Sequence, residues 1–298
     1  YSMKNELSII VPVYNELRAI KSTIKDLCKI KNDNKNKINI EIIIIDDCSN
    51  DGTYKEIDTL KKNKKYDFKV LSHKQNKGYG ASIKTGVLHS NSPYFAITDA
   101  DGTYPNLRII EFYNDLKNEN LEMIVGARIG KNVHIPIIRR IPKFFLTQLA
   151  NYLSEHNIPD LNSGFRIINK KVFEKYLKII PNKFSLTTTI TLALITNNHL
   201  VKFKKIDYAA RTGSSKIRPI ADTLNFIQLI LRTILFFDPL KVFLPISIIL
   251  FIIGLVFLVL RMFYGFGFGV VSVIFILSSL NIITSGLVAD LVIKHNTK

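Results

Sequence analysis

Two aspartates separated by one residue, Asp99 and Asp101, are the residues of this sequence best placed for chemistry. They follow a short apolar run, residues 94–97, that predicts a buried strand, and Gly102 and Pro105 then break the chain. In open α/β sheets, ligands bind beyond the carboxyl ends of the strands. Carboxylate oxygens at this spacing suit Mg²⁺ or Mn²⁺, which usually share their coordination with substrate phosphates. An acidic turn that caps the next helix is the alternative interpretation.

Four more apolar runs predict further strands around this one. They cover residues 7–12, 41–45, 68–72 and 123–127. Helical patterns, such as Ile20, Ile24 and Leu27, lie between them. Apolar strands that alternate with helices indicate an α/β fold with a parallel sheet covered on both faces. The G-x-G-x-x-G fingerprint is absent, so dinucleotide binding is disfavoured.

The 298-residue chain is strongly basic, with a formal net charge of +17, and 47% of its residues are hydrophobic. Such a charge fits nucleic acid, anionic lipid or anionic substrates. Nucleic acid is disfavoured because no nucleic-acid-binding motif is found. The hydrophobic excess at the C-terminal end also indicates a membrane-bound protein. The lysine- and asparagine-rich residues 29–39 indicate a solvated loop. Cys28 and Cys48 have the spacing of neither a metal site nor a disulfide framework, which favours a reducing compartment. We also expect no cleaved signal peptide.

The C-terminal end predicts a transmembrane hairpin. Residues 242–260 and residues 270–289 contain no charge, and each segment is long enough to cross a bilayer core of about 30 Å. The link between them, residues 261–269, is short and rich in glycine. Positive residues stay in the cytosol, and they flank the hairpin on its outer sides at Lys241 and Lys294. We therefore expect both termini in the cytosol, although Arg261 in the link opposes this weakly.

Two amphipathic segments precede the hairpin. In residues 135–153, apolar residues at helical spacing lie beside Arg139, Arg140 and Lys143. This segment is either a core-facing helix with a solvated basic face or a helix that lies on anionic lipid, and the sequence leaves both interpretations open. Residues 216–241 repeat the apolar pattern and predict juxtamembrane amphipathic helices.

Five motifs in order carry a family resemblance. They are Val-Pro-Val-Tyr-Asn-Glu at 11–16, Asp-Asp-Cys-Ser-Asn-Asp-Gly-Thr at 46–53, Asp-Ala-Asp at 99–101, Ser-Gly-Phe-Arg at 163–166 and Arg-Thr-Gly-Ser-Ser-Lys at 211–216. Together they resemble the family 2 glycosyltransferases of GT-A fold, in the branch that includes dolichyl-phosphate mannose synthase and its undecaprenyl-phosphate relatives. The resemblance covers about residues 7–241. It implies a Rossmann-like, mixed but mainly parallel GT-A catalytic domain over residues 1–215, followed by juxtamembrane helices at 216–241 and the hairpin at 242–298.

The resemblance assigns residues to a nucleotide-sugar donor. The implied donor contacts are Pro12, Tyr14, Glu16, Asp47, Lys77 and Asp99. A helix cap is the alternative for Glu16, and a plain helix start is the alternative for Lys77. Asp99 and Asp101 would hold Mg²⁺ or Mn²⁺ against the donor diphosphate. Where the mannose synthase branch has a glutamine that helps to bind metal, this sequence has Thr103, which could ligate the ion or hold a water.

The implied acceptor is a polyprenyl phosphate, a dianion that needs cations more than it needs a general base. Arg128, Arg166, Arg211 and Lys216 are the candidates for binding that phosphate, and a surface ion pair is the alternative for each. The implied catalytic residues are Asp99, Asp101, Arg166 and Arg211.

The sequence thus predicts a membrane-bound, metal-dependent, inverting transferase that moves a sugar from a nucleotide-diphosphate sugar to polyprenyl phosphate. The hairpin offers a surface for a homo-oligomer. A transferase that acts on a lipid or glycan hydroxyl is one alternative, but no convincing base for it is found. A non-catalytic membrane scaffold that binds nucleotide sugars is another. Processive polysaccharide synthases are disfavoured because their Gln-x-x-Arg-Trp motif is missing and the chain has no Trp.

Overall fold

The structure is a computed structural model of the chain. It describes residues 5–63, 65–129, 147–148, 150–152, 154–182, 185–209, 219–264 and 266–296. Most of the predicted amphipathic segment 135–153, together with Arg211 and Lys216, lies outside these residues.

One seven-stranded sheet forms the centre of the catalytic part. Its strands are β1 Leu7–Val13, β2 Ile40–Asp46, β3 Lys69–Ser72, β4 Tyr94–Ile97, β5 Met123–Ala127, β6 Arg166–Asn169 and β7 Val201–Lys205. Their order in the sheet is β3-β2-β1-β4-β6-β5-β7. The first five coincide with the predicted strands to within two residues, because runs of buried β-branched residues are strong strand signals.

The sheet is mixed because β6 enters it between β4 and β5. β6 is antiparallel to both neighbours, whereas β1 pairs in parallel with β2 and β4, and β5 pairs in parallel with β7. Neither β6 nor β7 was among the strands predicted from the sequence. Both are short, with four and five residues, and β7 alternates lysine with apolar residues at the sheet edge. Insertion of β6 brings the segment that precedes it to the carboxyl end of β4.

Helices cover both faces of the sheet and continue to the C-terminal end. They are α1 Ile20–Asn34, α2 Thr53–Lys62, α3 Tyr79–His89, α4 Ile109–Asn118, α5 Lys170–Lys175, α6 Leu186–Thr196, α7 Pro219–Phe237, α8 Leu240–Tyr264 and α9 Phe266–Asn296, with a 3₁₀ turn at Asn106–Arg108. The predicted face of α1, Ile20, Ile24 and Leu27, is fully buried in one core cluster beneath the sheet. The core on the other face joins α3 and α6 to the strands.

The juxtamembrane helix α7 packs on the catalytic part. Its Ile230 and Ile234 are buried against Leu192 and Ile195 of α6 in a third cluster, which also contains Ala150. The apolar stripe predicted in residues 216–241 therefore has a protein partner over these two turns. Exposed apolar surface on this helix is found at Phe236 instead, which is 53% exposed.

The hairpin consists of α8 and α9, which pack closely along their length. Within them, Leu240–Phe263 and Phe268–His295 are long and apolar enough to cross a membrane. α8 continues to Tyr264 and α9 begins at Phe266, so the described residues of the predicted link, 261–264 and 266–269, are helical. A Cβ on Gly254 would lie 2.7 Å from a side-chain atom of Ile276, and the Ser272 hydroxyl donates to the Gly254 carbonyl at 2.7 Å. Small residues thus let the two helices approach.

Candidate active site

Asp99 follows β4 at the carboxyl edge of the sheet, and β6 brings Gly164 against it. Ile97 pairs with Arg166, so Gly164, two residues earlier, crosses the end of β4. A Cβ on Gly164 would lie 2.9 Å from the Tyr79 hydroxyl and 3.1 Å from Asp99 Oδ1. No larger residue fits there without moving the Tyr79 hydroxyl or the aspartate. The Ser-Gly-Phe-Arg motif therefore meets the Asp-Ala-Asp motif through a glycine.

Asp101 is buried and is oriented by Thr103. The Thr103 amide and hydroxyl both donate to Asp101 Oδ1, at 3.2 and 2.6 Å. The Thr103 carbonyl accepts from the Ala209 amide at 3.1 Å, which ties this turn to the chain after β7. In this structure Thr103 is 2% exposed and directs its hydroxyl to the carboxylate. Its hydroxyl contacts Asp101 here, and the two roles that the sequence left open, ligating the ion or holding a water, stay predictions.

Two tyrosines lie under the aspartates. Burial raises the pKa of the Tyr79 hydroxyl well above its ordinary value, and the charge of Asp99 raises it further. The Tyr104 hydroxyl accepts from the Gly164 amide at 2.8 Å, and burial raises its pKa too, with Arg128 lowering it and Asp99 raising it. Both phenols are therefore neutral hydrogen-bonding groups at physiological pH.

The donor set at this edge fits a divalent cation that is completed by substrate. Asp99 and Asp101 supply carboxylates, and among the described residues no group of three or more His, Cys, Asp or Glu side chains is arranged to hold a metal ion. Two carboxylates leave most of an octahedral shell to phosphate oxygens and water, as is usual for Mg²⁺ and Mn²⁺ sites that bind nucleotides.

Asp47 organises the loop that begins α3. Its carboxylate accepts from the backbone amides of Lys77 and Gly78 at 2.8 and 2.7 Å, and from His73 Nδ1 at 2.6 Å. Its side chain is 4% exposed. In this structure the Asp47 carboxylate makes contacts that shape the loop, and its contact with the nucleotide stays a prediction. The Lys77 side chain is exposed above it.

His73 is the functional candidate that the sequence analysis missed. It lies directly after β3, and Nε2 is 3.0 Å from the Thr85 hydroxyl on α3 while Nδ1 faces Asp47. A neutral imidazole satisfies both contacts, donating from Nδ1 and accepting at Nε2. The available signal was its place at a strand end beside the Asn-Lys-Gly-Tyr-Gly segment, at residues 76–80.

The loops after β1 and β2 are joined by side-chain hydrogen bonds. Ser49 accepts from the Asn15 amide at 3.0 Å, and Asn15 Oδ1 accepts from the Asn50 amide at 2.9 Å. Thr53 accepts from the Glu16 amide at 3.0 Å. Many residues of the Asp-Asp-Cys-Ser-Asn-Asp-Gly-Thr motif therefore build the loop.

The predicted donor residues of β1 divide by exposure. Pro12 is buried inside the strand, opposite Ile45, so the sheet and not a ligand surrounds its ring. Tyr14 and Glu16 are half-buried at the edge. They remain candidates for contact with a nucleotide.

Arg166 differs most from its prediction. Its guanidinium is fully enclosed, and it donates to the Ser163 and Thr187 carbonyls and to the Thr191 hydroxyl. Burial lowers its pKa to about 10. A group enclosed in this way cannot bind a lipid phosphate directly. It joins the Ser-Gly-Phe-Arg strand to α6, and this corrects the predicted acceptor role.

Arg128 lies at the end of β5 and is held by Asp160. Nε and Nη2 donate to the two carboxylate oxygens at 2.8 and 2.9 Å, and the Arg128 amide donates to the same carboxylate at 3.0 Å. Its guanidinium also lies 5.3 Å from the centre of the Tyr208 ring. The remaining terminal nitrogen, Nη1, lies outside the pair with Asp160. Among the described residues, Arg128 is the predicted acceptor cation that stays at the edge.

Two profiles of known protein families match this chain. The glycosyl transferase family 2 profile matches residues 8–177. The chain belongs to glycosyl transferase family 2. A second profile, the GtrB C-terminal hairpin, matches residues 238–294 and coincides with α8 and α9. The family resemblance of the motifs is therefore confirmed.

Named relatives come from the branch that the motifs resemble. The chain is 34% identical over 180 residues to the dolichyl-phosphate beta-glucosyltransferase of Dictyostelium discoideum, a match that covers 55% of this chain and 54% of that enzyme. The chain thus spans about half the length of that relative. It is 24% identical over 218 residues to the dolichyl-phosphate hexose transferase of Haloferax volcanii, covering 73% of this chain and 89% of the relative.

Solved structures support the fold. The mannosyltransferase of Pyrobaculum calidifontis, in complex with GDP-Man and Mn²⁺, has a TM-score of 0.52 at 14% identity and covers 78% of this chain and 64% of its own. Glucosyl-3-phosphoglycerate synthase of Mycobacterium tuberculosis, with Mn²⁺, UDP and phosphoglyceric acid, has a TM-score of 0.58 at 14% identity, covering 77% and 78%. These likenesses confirm the GT-A fold of the catalytic part.

Proposed function

We propose that this chain transfers a sugar from a nucleotide-diphosphate sugar to a polyprenyl phosphate at the cytosolic face of a membrane, with inversion at the anomeric carbon. One observation carries the proposal: a family 2 domain, with Asp99 and Asp101 at its catalytic edge, continues into a GtrB-type hairpin of two membrane-length helices. Dolichyl phosphate occurs in the names of three relatives, among them the UDP-N-acetylglucosamine--dolichyl-phosphate N-acetylglucosaminyltransferase of Methanococcus voltae.

The donor binds over the carboxyl ends of β1, β2 and β4. Tyr14 and Glu16 contact the nucleoside, by stacking and by accepting hydrogen bonds. The loop of Lys77 and Gly78 approaches the donor with its backbone, since Gly78 has a positive φ of 95° that most side chains disfavour. Asp47 and His73 keep that loop in place from below.

A divalent ion, Mg²⁺ or Mn²⁺, would be held by Asp99 and Asp101 and would neutralise charge on the leaving nucleoside diphosphate. Thr103 fixes the rotamer of Asp101 through two hydrogen bonds, and Gly164 gives Asp99 its space. Asp101 thus keeps its orientation through contacts with the protein, which is what a precise cation site requires.

Transfer is a single displacement that needs no protein base. The second pKa of a phosphate monoester is about 6, so the acceptor is mostly dianionic at pH 7 and its oxygen is already nucleophilic. That oxygen forms a bond to the anomeric carbon while the bond from this carbon to the donor diphosphate breaks. The nucleoside diphosphate leaves with the electron pair, and one displacement inverts the carbon.

Cations must overcome the repulsion between the acceptor and the donor diphosphate. Arg128 takes this role, with Asp160 holding two of its nitrogens and Nη1 directed to the acceptor phosphate. Arg211 and Lys216 complete the acceptor site in this proposal because their motif matches the family. Arg166 supports the site from inside, through the Ser163 carbonyl and α6.

Transfer to a defined acceptor tests the proposal. Purified full-length protein is incubated with radiolabelled nucleotide sugars and either a short-chain polyprenyl phosphate or the matching polyprenol. We expect a labelled lipid only with the phosphate. Labelling of the polyprenol would favour the hydroxyl-acceptor alternative, and nucleotide-sugar binding without transfer to either lipid would favour the scaffold.

The membrane orientation has a separate test. A reporter that is active only in the cytosol is fused after Lys298. Activity is expected because Lys241 and Lys294 flank the two spans on the same side. A signal from a reporter that is active only outside the cytosol would overturn the orientation and leave the transferase chemistry untouched.

A further inference from the structure

A polar cavity lies where the catalytic part meets the hairpin. It has a volume of about 230 Å³ and is bounded by residues 154–156, the end of α6 and the turn between α7 and α8. Its polar lining includes Ser154, Glu155, His156, Asp238 and Lys241. Pockets that enclose drug-sized ligands usually have about 300–1,000 Å³. This cavity is smaller, so it fits a compact polar group.

The position of the cavity along the chain places it at the depth of lipid headgroups. Lys241 is the second residue of the membrane-length segment Leu240–Phe263, so the cavity adjoins the end of that span. The headgroup layer begins where the apolar core of the bilayer ends. Phe236 and Leu244, on either side of the turn between α7 and α8, are 53% and 42% exposed. A lipid whose headgroup enters the cavity therefore finds apolar surface for its acyl chains within three residues of the lining.

The charges of the lining favour a ligand that carries a cation. Lys241 Nζ lies 3.1 Å from a carboxylate oxygen of Glu155 and 3.6 Å from one of Asp238, so two carboxylates share one ammonium. The nearby cation of α9, Lys294, pairs with Asp290 at 2.8 Å. An excess of carboxylate attracts a cationic group and repels a ligand that is only anionic.

Ser154 adds a buried hydroxyl to the lining. The residue is 3% exposed, and its hydroxyl oxygen has no hydrogen-bond partner among the described residues. Buried polar atoms nearly always have a partner in the protein, a water or a ligand. His156 Nδ1 donates to the Ser154 carbonyl at 2.7 Å, which leaves Nε2 of the neutral ring as an acceptor. The lining thus offers donors at Ser154 and Lys241 beside a larger number of acceptors.

We propose that this cavity binds the headgroup of phosphatidylethanolamine. Its primary ammonium carries three N–H donors for the carboxylates of Glu155 and Asp238, and its phosphodiester accepts from Lys241 and from the Ser154 hydroxyl. Phosphatidylcholine has the same net charge but no N–H on its ammonium, and phosphatidylglycerol has no cation. The bound lipid would hold the catalytic part to the membrane at the start of α8. The proposal rests on the membrane insertion proposed above and not on the transfer chemistry.

Binding is measured on the full-length protein in neutral detergent, by the fluorescence polarisation of phosphatidylethanolamine labelled on one acyl chain. Unlabelled phosphatidylethanolamine should displace this probe at lower concentration than phosphatidylcholine or phosphatidylglycerol. Asp238→Asn should weaken binding about twofold to fivefold, because the charge that it removes is partly exposed. Glu174→Gln, at a similarly exposed carboxylate on α5, is the matched control and should bind the probe normally.

Ser154→Ala tests the buried hydroxyl without removing a hydrogen bond between described residues. It should weaken binding of the probe about twofold to tenfold, the range of a single hydrogen bond. A ligand that binds only the folded chain raises the melting temperature. Phosphatidylethanolamine should therefore raise the melting temperature of the unsubstituted protein more than that of the variant. Without the lipid, the variant should melt no lower than the unsubstituted protein, which separates lost binding from a damaged fold.

Three results would overturn the proposal. They are equal or tighter binding of phosphatidylcholine or phosphatidylglycerol, no binding of the probe, and unchanged binding by both Ser154→Ala and Asp238→Asn. Extraction of membranes with alkaline carbonate shows whether the chain is inserted at all, so a failure of insertion is recognised separately. Transfer activity is assayed in parallel, and its loss or presence does not bear on the affinity for the probe.

Discussion

The two halves of the catalytic edge use their carboxylates in different ways. In the half formed by the loops after β1, β2 and β3, Asp47 and Asp51 accept hydrogen bonds from backbone amides of neighbouring loops and, at Thr53, of the same loop. In the half at the end of β4, Asp101 also accepts from its own turn, at Thr103, but Asp99 lies beside the buried Tyr79 hydroxyl and Gly164. The carboxylates of the first half stabilise loops, whereas those of the second half are placed to bind a ligand.

An acidic motif can therefore have either of two roles. A carboxylate that accepts two or three backbone amides stabilises the loop whether or not a ligand is present. Two carboxylates that are close in sequence and held in fixed rotamers repel each other unless a cation joins them. Substitutions in the two halves should therefore fail in different ways, the first through loop order and donor affinity, and the second through turnover.

The largest effect is expected for Asp101→Asn, in the half at the end of β4. The variant keeps an oxygen for Thr103 but loses the charge that would hold the cation. Such an ion contributes several kcal/mol to the transition state, so kcat/KM should fall at least about a hundredfold. EDTA should abolish transfer by the unsubstituted protein, and Mg²⁺ or Mn²⁺ should restore it.

Asp67→Asn is the matched control, because that carboxylate is 84% exposed and pairs only with Lys31 among the described residues. It should leave kcat/KM unchanged. Full transfer activity after rigorous chelation would show that Asp99 and Asp101 do not act by binding a metal ion.

Gly164→Ala tests whether the space beside Asp99 matters. The new methyl group would meet the Tyr79 hydroxyl at 2.9 Å and must displace it or Asp99. Misplacement of a catalytic group by about 1 Å can lower turnover about a hundredfold, so we expect a loss of tenfold to a hundredfold in kcat. Steady-state kinetics with saturating donor measures it.

Gly86→Ala provides the comparison, since its Cβ would lie 2.6 Å from an Ile10 methyl group in the core. It should lower the melting temperature while the folded protein keeps its kcat. Equal kcat values for the two variants, compared per folded molecule, would contradict the role given to Gly164.

His73→Ala tests the half that builds loops. Asp47 would lose one of its three donors, and a buried acceptor left short of a partner costs about 1–3 kcal/mol. If the loop of Lys77 and Gly78 loosens in proportion, donor affinity falls about fivefold to a hundredfold while kcat at saturating donor stays near its original value. Calorimetric titration with the nucleotide sugar that supports transfer measures the affinity.

His89→Ala removes an exposed imidazole whose one hydrogen bond among the described residues is to the Thr85 carbonyl, and it should bind donor normally. His73→Asn retains a donor and should recover part of the lost affinity. A drop in kcat with unchanged donor affinity would show that His73 does not act by stabilising the loop of Lys77 and Gly78.

The smallest effect is expected for Asp51→Asn. Burial opposes it, but hydrogen bonds from Thr53 and Leu17 hold the pKa of Asp51 below its ordinary value. A carboxyl with a depressed folded-state pKa stabilises the fold above its unfolded pKa of about 3.9, and this contribution disappears as the pH falls through the folded-state value. Because the group is exposed, the free energy of unfolding should fall by at most about 1 kcal/mol at pH 7.

Urea unfolding at pH 7 and at pH 3 measures that difference for Asp51→Asn. The gap between the variant and the unsubstituted protein should shrink at the lower pH. A gap that widens on acidification would show that the carboxylate does not stabilise this loop.

The sequence by itself determined the first five strands, the hairpin and the family, but not β6 and β7. Runs such as Ile42 to Ile45 bury β-branched side chains whatever surrounds them, and residues 242–260 are apolar enough to cross a membrane on their own. These properties are local, because each depends on the composition of one short segment. The same is true of the Asp99 and Asp101 spacing, which fixes two carboxylates at one strand end.

The tertiary structure alone decided what the charged residues contact. Asp47 meets His73, 26 residues away, and Arg166 meets Thr187, 21 residues away, through bonds that no spacing rule predicts. It also decided that β6 runs antiparallel beside β4, which carries Gly164 to Asp99, and which face of α9 packs on α8. A side chain's type is written in the sequence, but whether its charge meets solvent, ligand or protein depends on partners that only the folded chain brings together.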